Sequence, residues 1–343
     1  MNRQFPPEIV QLIVEASLDR YDMFRSHPCD IRLRYATLRS YSLLNSTWGG
    51  ASQAQLVKRV EIRTQDSAEK FMALAQQRGG TLGGVQDMFI DWAYFTESTI
   101  AKLLRCARQV INLRLYRGSV DIFDLAQLQQ LRRVELDRCV IDGSPSSSLL
   151  RLPHLQRIEI TGCRVEDSAL HFLTPAFLPQ LRRVDVDALV IIAPLIRQLE
   201  IVNNSWHDVD YAILAHAESL LLLPLPFFPE KRLDMLAKLP SLPPFLHAAI
   251  PPYEVRNILD AHQEFVEALE DLSKTKKSGL RVILVNDYGI DDSIKGMIPR
   301  FQERGIRVQL VDEEMVFHGA IEEMETILAG EKRAREEATK KLQ

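Results

Sequence analysis

The sequence predicts an α/β fold in which short parallel strands lie side by side and helices return the chain between them. Three observations lead there. Four segments share the pattern L-x-x-L-x-L-x-x-C or a close relative: Val110-INLRLYRG, Leu131-RRVELDRC, Leu155-QRIEITGC and Leu181-RRVDVDAL. Weaker copies start at Val57, Val85, Ile196 and Ala217, so the steps along the chain are 28, 25, 21, 24, 26, 15 and 21 residues. All but one leave room for a strand and a return helix. Finally, 46% of the 343 residues are apolar and 26% are charged, which supplies a large core and excludes a disordered chain.

Each element follows from the pattern. In a strand, alternate side chains point to opposite faces, so Val134 and Leu136, or Ile158 and Ile160, turn inward together. A parallel neighbour requires a crossover, and one unit leaves an apolar face that only the next unit covers. Steps of about 20–29 residues are the period of a leucine-rich repeat. Cys139 and Cys163 end their segments at the ninth position, where a small thiol packs under the turn. Cys163-RVEDSALHFL resembles the cysteine-containing subclass of that repeat, and LPHL, LPQL and LPSL open units at 152, 178 and 239. The 15-residue step predicts a bare returning loop. The expected architecture is an irregular leucine-rich-repeat solenoid over 63–314.

Eight prolines between Pro224 and Pro252 predict an irregular stretch over 224–252 without helices. Beyond it, Val255–Leu272 reads as an amphipathic helix, Leu280-RVILVND as a strand, Ile294–Arg304 as a helix and Ile306-RVQLVDE as a last strand. The segment 315–343 ends in a mixed-charge helix suited to a solvated surface.

Residues 1–62 form a module of a different kind. Pro6-Pro7-Glu8 opens a helix with proline and an early acid. Ile9, Leu12, Ile13 and Ala16 make one apolar stripe, and Val10, Val14 and Leu18 carry apolar surface around the side. A helix with more apolar surface than one stripe has two neighbours to satisfy: its own core and another protein. Thr37–Leu44 predicts a second short helix after a polar insertion over Asp19–Arg34, and Trp48 starts a third segment running to Val60. A helical cap over the first repeat is the plainer use of such a module.

The segments Phe5-PPEIVQLIVEASL and Leu38-RSYSLLNSTWGGASQAQLVKRVEI resemble an F-box of the fungal type. The resemblance covers about a sixth of the chain. Phe5 stands where leucine is usual, and Asn45-Ser46-Thr47 replaces a run that more often bears cysteine. It implies that Pro6, Pro7, Ile9, Leu12, Ile13, Leu43, Leu44 and Trp48 contact a Skp-type adaptor. The adaptor joins a cullin–RING ubiquitin ligase, and the repeats hold a protein substrate. The other use of the same repeats is an interaction scaffold with no ligase role.

Register-equivalent side chains on the outward strand face form ladders. One column is Arg114, Glu135, Glu159, Asp185 and Glu200; another holds Arg133, Arg157 and Arg183; a third starts with Tyr116. These ladders either neutralise one another or make a charged docking strip for a protein partner. Phe89, Asp91 and Trp92 add candidates at the N-terminal end, the aromatic ones as interface anchors.

The remaining expectations are exclusions. A net charge of −4 provides no cationic surplus for nucleic acid. Glu8 and Glu15 interrupt any apolar leader, and no stretch is long enough to span a bilayer, so the expected compartment is cytoplasmic or nuclear. Four cysteines without CxxC spacing fit reduced thiols rather than a zinc site. There is no HExxH, GxSxG or glycine-rich phosphate loop, so neither a catalytic function nor a cofactor is expected. His207-Asp208 beside Trp206 is the nearest approach to a catalytic cluster, and Asp291-Asp292 reads as a helix cap.

Overall fold

The computed structural model describes residues 5–18, 28–91, 95, 97–143, 151–170, 172–186, 189–204, 211–225, 229–248, 279–286, 298–311 and 316–342. The chain divides into two compact units, Met1–Leu181 and Arg182–Gln343. Both are α/β, and their strands pair in parallel.

The first unit opens with three helices, α1 (Pro7–Leu18), α2 (Pro28–Ser42) and α3 (Ser46–Lys58). Val10, Val14 and Leu18 of α1 and Leu38 of α2 form their core, with Tyr41, Trp48, Ala51 and Leu56 packed around it. The buried stripe is thus the second one read from the sequence, while Ile9, Leu12, Ile13 and Ala16 face solvent. Helix α2 is longer than the expected 37–44, because 28–34 of the supposed insertion is helical. Proline suits a first helical position, and the arginines that follow are good helix formers. Arg34 is buried there, and its Nη2 donates to the Gln55 carbonyl at 2.8 Å. Asn45 caps α3 by accepting from the Thr47 and Trp48 amides at 3.0 and 3.2 Å.

Six strands follow in this unit among the described residues: β1 (Arg59–Ile62), β2 (Asp87–Asp91), β3 (Asn112–Asp121), β4 (Arg133–Asp142), β5 (Arg157–Thr161) and β6 (Arg164–Val165). Helices α4 (Gln65–Gln77), α5 (Glu97–Cys106), α6 (Ile122–Ala126) and α7 (Asp167–Leu170) lie between or after them. Strands β1 to β5 are neighbours in chain order, and β6 lies beside β4. The register aligns Met88, Leu113, Val134 and Ile158 in one column and Ile90, Leu115, Leu136 and Ile160 in the next. All eight are buried, as the repeat pattern requires.

One repeated backbone feature escaped that pattern. Arg117, Arg138 and Gly162 occupy equivalent positions in three successive units, and their φ angles are 62°, 56° and 60°. The left-handed residue kinks each strand just before the ninth position. Gly162 adopts it freely, whereas at Arg117 and Arg138 it costs roughly 1–2 kcal/mol.

In the second unit β7 (Arg183–Val186), β8 (Ile201–Asn204), β9 (Leu222–Leu225), β10 (Phe245–Ala248), β11 (Val282–Asn286) and β12 (Arg307–Val311) are again neighbours in chain order. Two expectations fail here. The β7–β8 return is a run of 3-10 turns over Leu189–Gln198, not a bare loop. The register pairs Arg183 with Ile201 and Asp185 with Asn203, so the repeat opens on Leu199 rather than Ile196, and the step from Leu181 is 18 residues. Those three extra residues make room for the turns. The second failure is that the 224–252 stretch contains α8 (Pro229–Lys238), strand β10 and the end of β9. Proline stands at the first position of α8 and again at Pro240 beyond its end, so it bounds the helix instead of breaking it.

Strands β11 and β12 match the two expected strands, and residues 298–302 are helical within the expected 294–304. The expected helix over Val255–Leu272 lies outside the described residues. The last helix, α9 (Val316–Leu342), spans about 40 Å at 1.5 Å per residue. One face of its first half is seated in the core: Ala320, Ile321 and Met324 are buried against Ile201, Leu222, Phe245, Val282, Leu284 and Val311. From Lys332 to Lys340 its side chains are exposed, as its composition predicts. No helix among the described residues is long and apolar enough to cross a membrane.

Candidate functional site

The helical module presents two surfaces of opposite character. Inside, Glu15 of α1 accepts from Gln55 Nε2 at 2.8 Å and Lys58 Nζ at 3.1 Å, both on α3, and from Gln11 Nε2 at 3.2 Å. These hydrogen bonds, the Gln11 bond first and the Lys58 bond next, hold its carboxyl below the usual range and fix α1 on α3. Outside, Phe5 is 59% exposed, Leu12 60%, Ile9 41% and Ile13 37%, while Leu43 and Leu44 reach 81% and 61% in the turn after α2. Ile9, Leu12 and Ile13 stand at i, i+3 and i+4 spacing and therefore share one helix face. Pro6 and Pro7 are exposed beside them.

Trp48 is placed differently from the other seven residues expected to meet an adaptor. Its ring lies 5.3 Å from that of Tyr41, and it packs against the Val10, Val14, Leu18 and Leu38 core with part of its surface free. The tryptophan holds the module together first, and only its remaining surface is open to a partner.

The second candidate surface is the outward face of the first unit's strands. The register sets Glu61, Phe89, Arg114, Glu135 and Glu159 in one column and Arg59, Asp87, Asn112, Arg133 and Arg157 in the adjacent one. Arg59 Nε lies 2.9 Å from Asp87, which also accepts from Asn112 Nδ2 at 2.7 Å. Arg114 Nε lies 2.9 Å from Glu135, and Glu159 is held by Arg133 at 2.8 Å and Arg157 at 2.7 Å. Along β4 and β5 an arginine is followed two residues later by a glutamate, while across the two strands like charges stand side by side and are compensated by the neighbouring column. Tyr116, in register with Asp91, carries the Arg117 and Arg138 guanidinium groups over its ring at 4.7 and 5.8 Å.

Burial leaves a mark on this lattice. Desolvation pushes the Glu135 carboxyl up to about 7 against the pull of Arg114, and the charge of Glu159 adds to the rise. A carboxylate that titrates near neutrality inside an ion-pair lattice makes the face pH-sensitive.

Three expectations for this face need correction. Phe89 is no exposed anchor: it is 9% exposed because Arg63 and Arg114 close over its ring at 5.3 and 5.5 Å. Glu159 is likewise buried under its two arginines. Glu200 stands outside the column, before β8, since Asn203 is the residue beside Asp185 and donates to it at 3.0 Å. Arg183 of the second unit pairs with Glu325 of α9. Trp92, Trp206, His207, Asp208, Asp291 and Asp292 lie outside the described residues.

Two hollows of the first unit are lined wholly by described residues. A groove of about 630 Å³ is lined by Gly50, Gln53, Lys58, Arg78, Gly84 and Gln86, among others, with no carboxylate, histidine, cysteine or hydroxyl in its wall. The other, of about 20 Å³, has wholly apolar walls that include Leu136, Ile160, Phe172 and Phe177. Among the described residues no three acidic, histidine or cysteine side chains are grouped to hold a metal ion. No protein-family model and no curated protein matches this chain.

Proposed function

We propose that the chain is the substrate-recognition subunit of a cullin–RING ubiquitin ligase, working in the cytoplasm or nucleus. In this reading residues 1–62 are an F-box-like module that holds a Skp-type adaptor. The strands and helices that follow are an irregular leucine-rich-repeat solenoid whose outward strand face receives a protein substrate. The observation that carries the reading is the exposed apolar set Phe5, Ile9, Leu12, Ile13, Leu43 and Leu44 on a module whose core is already complete without it. A cap over a repeat array has no use for a second apolar face, whereas an adaptor-binding module requires one.

The test is co-expression with a Skp-type adaptor, comparing the native chain with a variant carrying Ile9→Asp, Leu12→Asp and Leu44→Asp. These side chains are exposed, so the variant keeps its fold, whereas replacing Trp48 disturbs the core. The expected result is co-purification of the native chain with adaptor and cullin, and its loss in the variant. A native chain that binds protein partners but no adaptor is a scaffold, and the ligase reading fails.

A further inference from the structure

Cys139 and Cys163 stand on neighbouring rungs of the first unit. The register pairs Val140 with Arg164 and Ile141 with Val165, so one position earlier Cys139 faces Cys163. Adjacent strands are about 4.8 Å apart, within the roughly 4.4–6.8 Å between α-carbons that a disulfide bridges. The Cys139 amide donates to Cys163 Sγ at 3.2 Å, and the Cys163 thiol donates to the Leu136 carbonyl at 3.2 Å. The Cys139 thiol is directed at the Leu115 carbonyl at 3.6 Å.

The two thiols differ in a way that assigns them roles. Cys139 is buried, and Cys163 is partly exposed. The hydrogen bond from Cys139 holds the Cys163 thiol below its ordinary range, and the same contact with burial raises Cys139. A partly exposed thiol of lowered pKa beside a resolving thiol is the arrangement of a redox-sensitive cysteine pair.

We propose that Cys139 and Cys163 are a peroxide modification site, with Cys163 as the attacking and Cys139 as the resolving thiol. The Cys163 thiolate attacks one oxygen of hydrogen peroxide, the O–O bond breaks, and hydroxide leaves to become water with the proton that the thiol released. Cys163 is then a sulfenic acid. The Cys139 sulfur attacks the Cys163 sulfur, the S–O bond breaks, and hydroxide leaves with the Cys139 proton as a second water. Two thiols lose two electrons, peroxide gains them, and the product is a disulfide joining β4 to the β5–β6 turn. Forming it draws Cys139 away from the Leu115 carbonyl.

The experiment treats the folded full-length chain with hydrogen peroxide in small excess, alkylates the remaining thiols and digests with trypsin without reductant. The expected product is peptide Cys139–Arg151 linked to peptide Ile158–Arg164, two hydrogens lighter than their sum. Cys106, whose thiol burial raises, reacts at least tenfold more slowly. In Cys139→Ser the sulfenic acid persists and dimedone labels Cys163; circular dichroism verifies the fold, and Cys139→Ala replaces a variant that does not fold. Oxidation of Cys163 beyond the sulfenic acid without the linked peptide, or Cys106 reacting as fast as Cys163, overturns the proposal.

Discussion

In the first unit the outward strand positions read Arg59, Asp87, Asn112, Arg133 and Arg157, each in hydrogen-bond or ion-pair contact with a neighbour. In the second unit the corresponding column reads Arg183, Ile201, Leu222, Phe245 and Val282, and α9 lies over it. The inward columns of both units are apolar, so the outward column alone decides whether a face stays open. A charged column pairs within itself and with the neighbouring column, and needs no cover. An apolar column requires a cover, and the chain supplies one by following β12 with a helix that buries Ala320, Ile321 and Met324.

That contrast breaks most visibly when the cover is charged. Ile321→Asp places an unpaired carboxylate in the second unit's apolar seat, and the expected loss is on the order of 4 kcal/mol. Urea unfolding should show the loss while hydrogen exchange of β1–β5 amides stays unchanged. Equal exposure of both units contradicts the assignment of α9 to the second face alone.

The matching change in the first unit is Glu159→Ala, which leaves Arg133 and Arg157 half-buried side by side without their shared partner. The expected cost is about 2–3 kcal/mol, below the range for a fully buried pair because both arginines retain some solvent contact. A chevron or urea titration at two salt concentrations measures it, and partial rescue by salt is expected.

Glu135 gives the comparison a pH axis. Its folded pKa of about 7 lies above the unfolded value, so between about 4.5 and 7 the folded state holds a proton that the unfolded state has lost. Its contribution is therefore fully present below the unfolded pKa and is lost as pH rises through 7. Glu135→Gln removes that dependence: relative to the native chain it gains about 2 kcal/mol between pH 5 and pH 8. A constant difference across that range shows that Glu135 is not the titrating group.

Gly162→Ala tests the repeated left-handed kink on a smaller scale. An added Cβ at φ 60° meets Arg138 Cγ at 3.2 Å, a flexible side chain that moves aside, so the cost is the backbone's, about 1 kcal/mol. A melting-temperature shift of a few degrees measures it, and no shift means that the turn relaxes to another conformation.

The strands were legible because buried columns obey a period of two: Leu113, Leu115, Val134 and Leu136 are buried as the spacing demands. The choice between the two stripes of α1 was not legible. Both are apolar, and only Leu38, Trp48 and Leu56, distant in sequence, select Val10, Val14 and Leu18 for the core. Phe89 misled for a related reason, since the arginines that bury it come from neighbouring strands. The Glu200 register failed because Ile196 and Leu199 are both buried and three residues apart, and each suits the opening position. Nor does the composition of α9 disclose its seat, because the exposed charges of its second half dominate the segment. Gly162 was the one readable sign of the left-handed kink; Arg117 and Arg138 carry no such sign.

The proposed function rests on the exposed apolar face of the helical module as the seat of an adaptor. Calorimetric titration of a purified Skp-type adaptor into the full chain tests it most directly. One adaptor should bind per chain, with affinity reduced at least 100-fold by Ile9→Asp, Leu12→Asp and Leu44→Asp together, about 2.7 kcal/mol, and unchanged by Glu159→Gln. No heat of binding to the native chain, or full affinity in a folded triple variant, contradicts it.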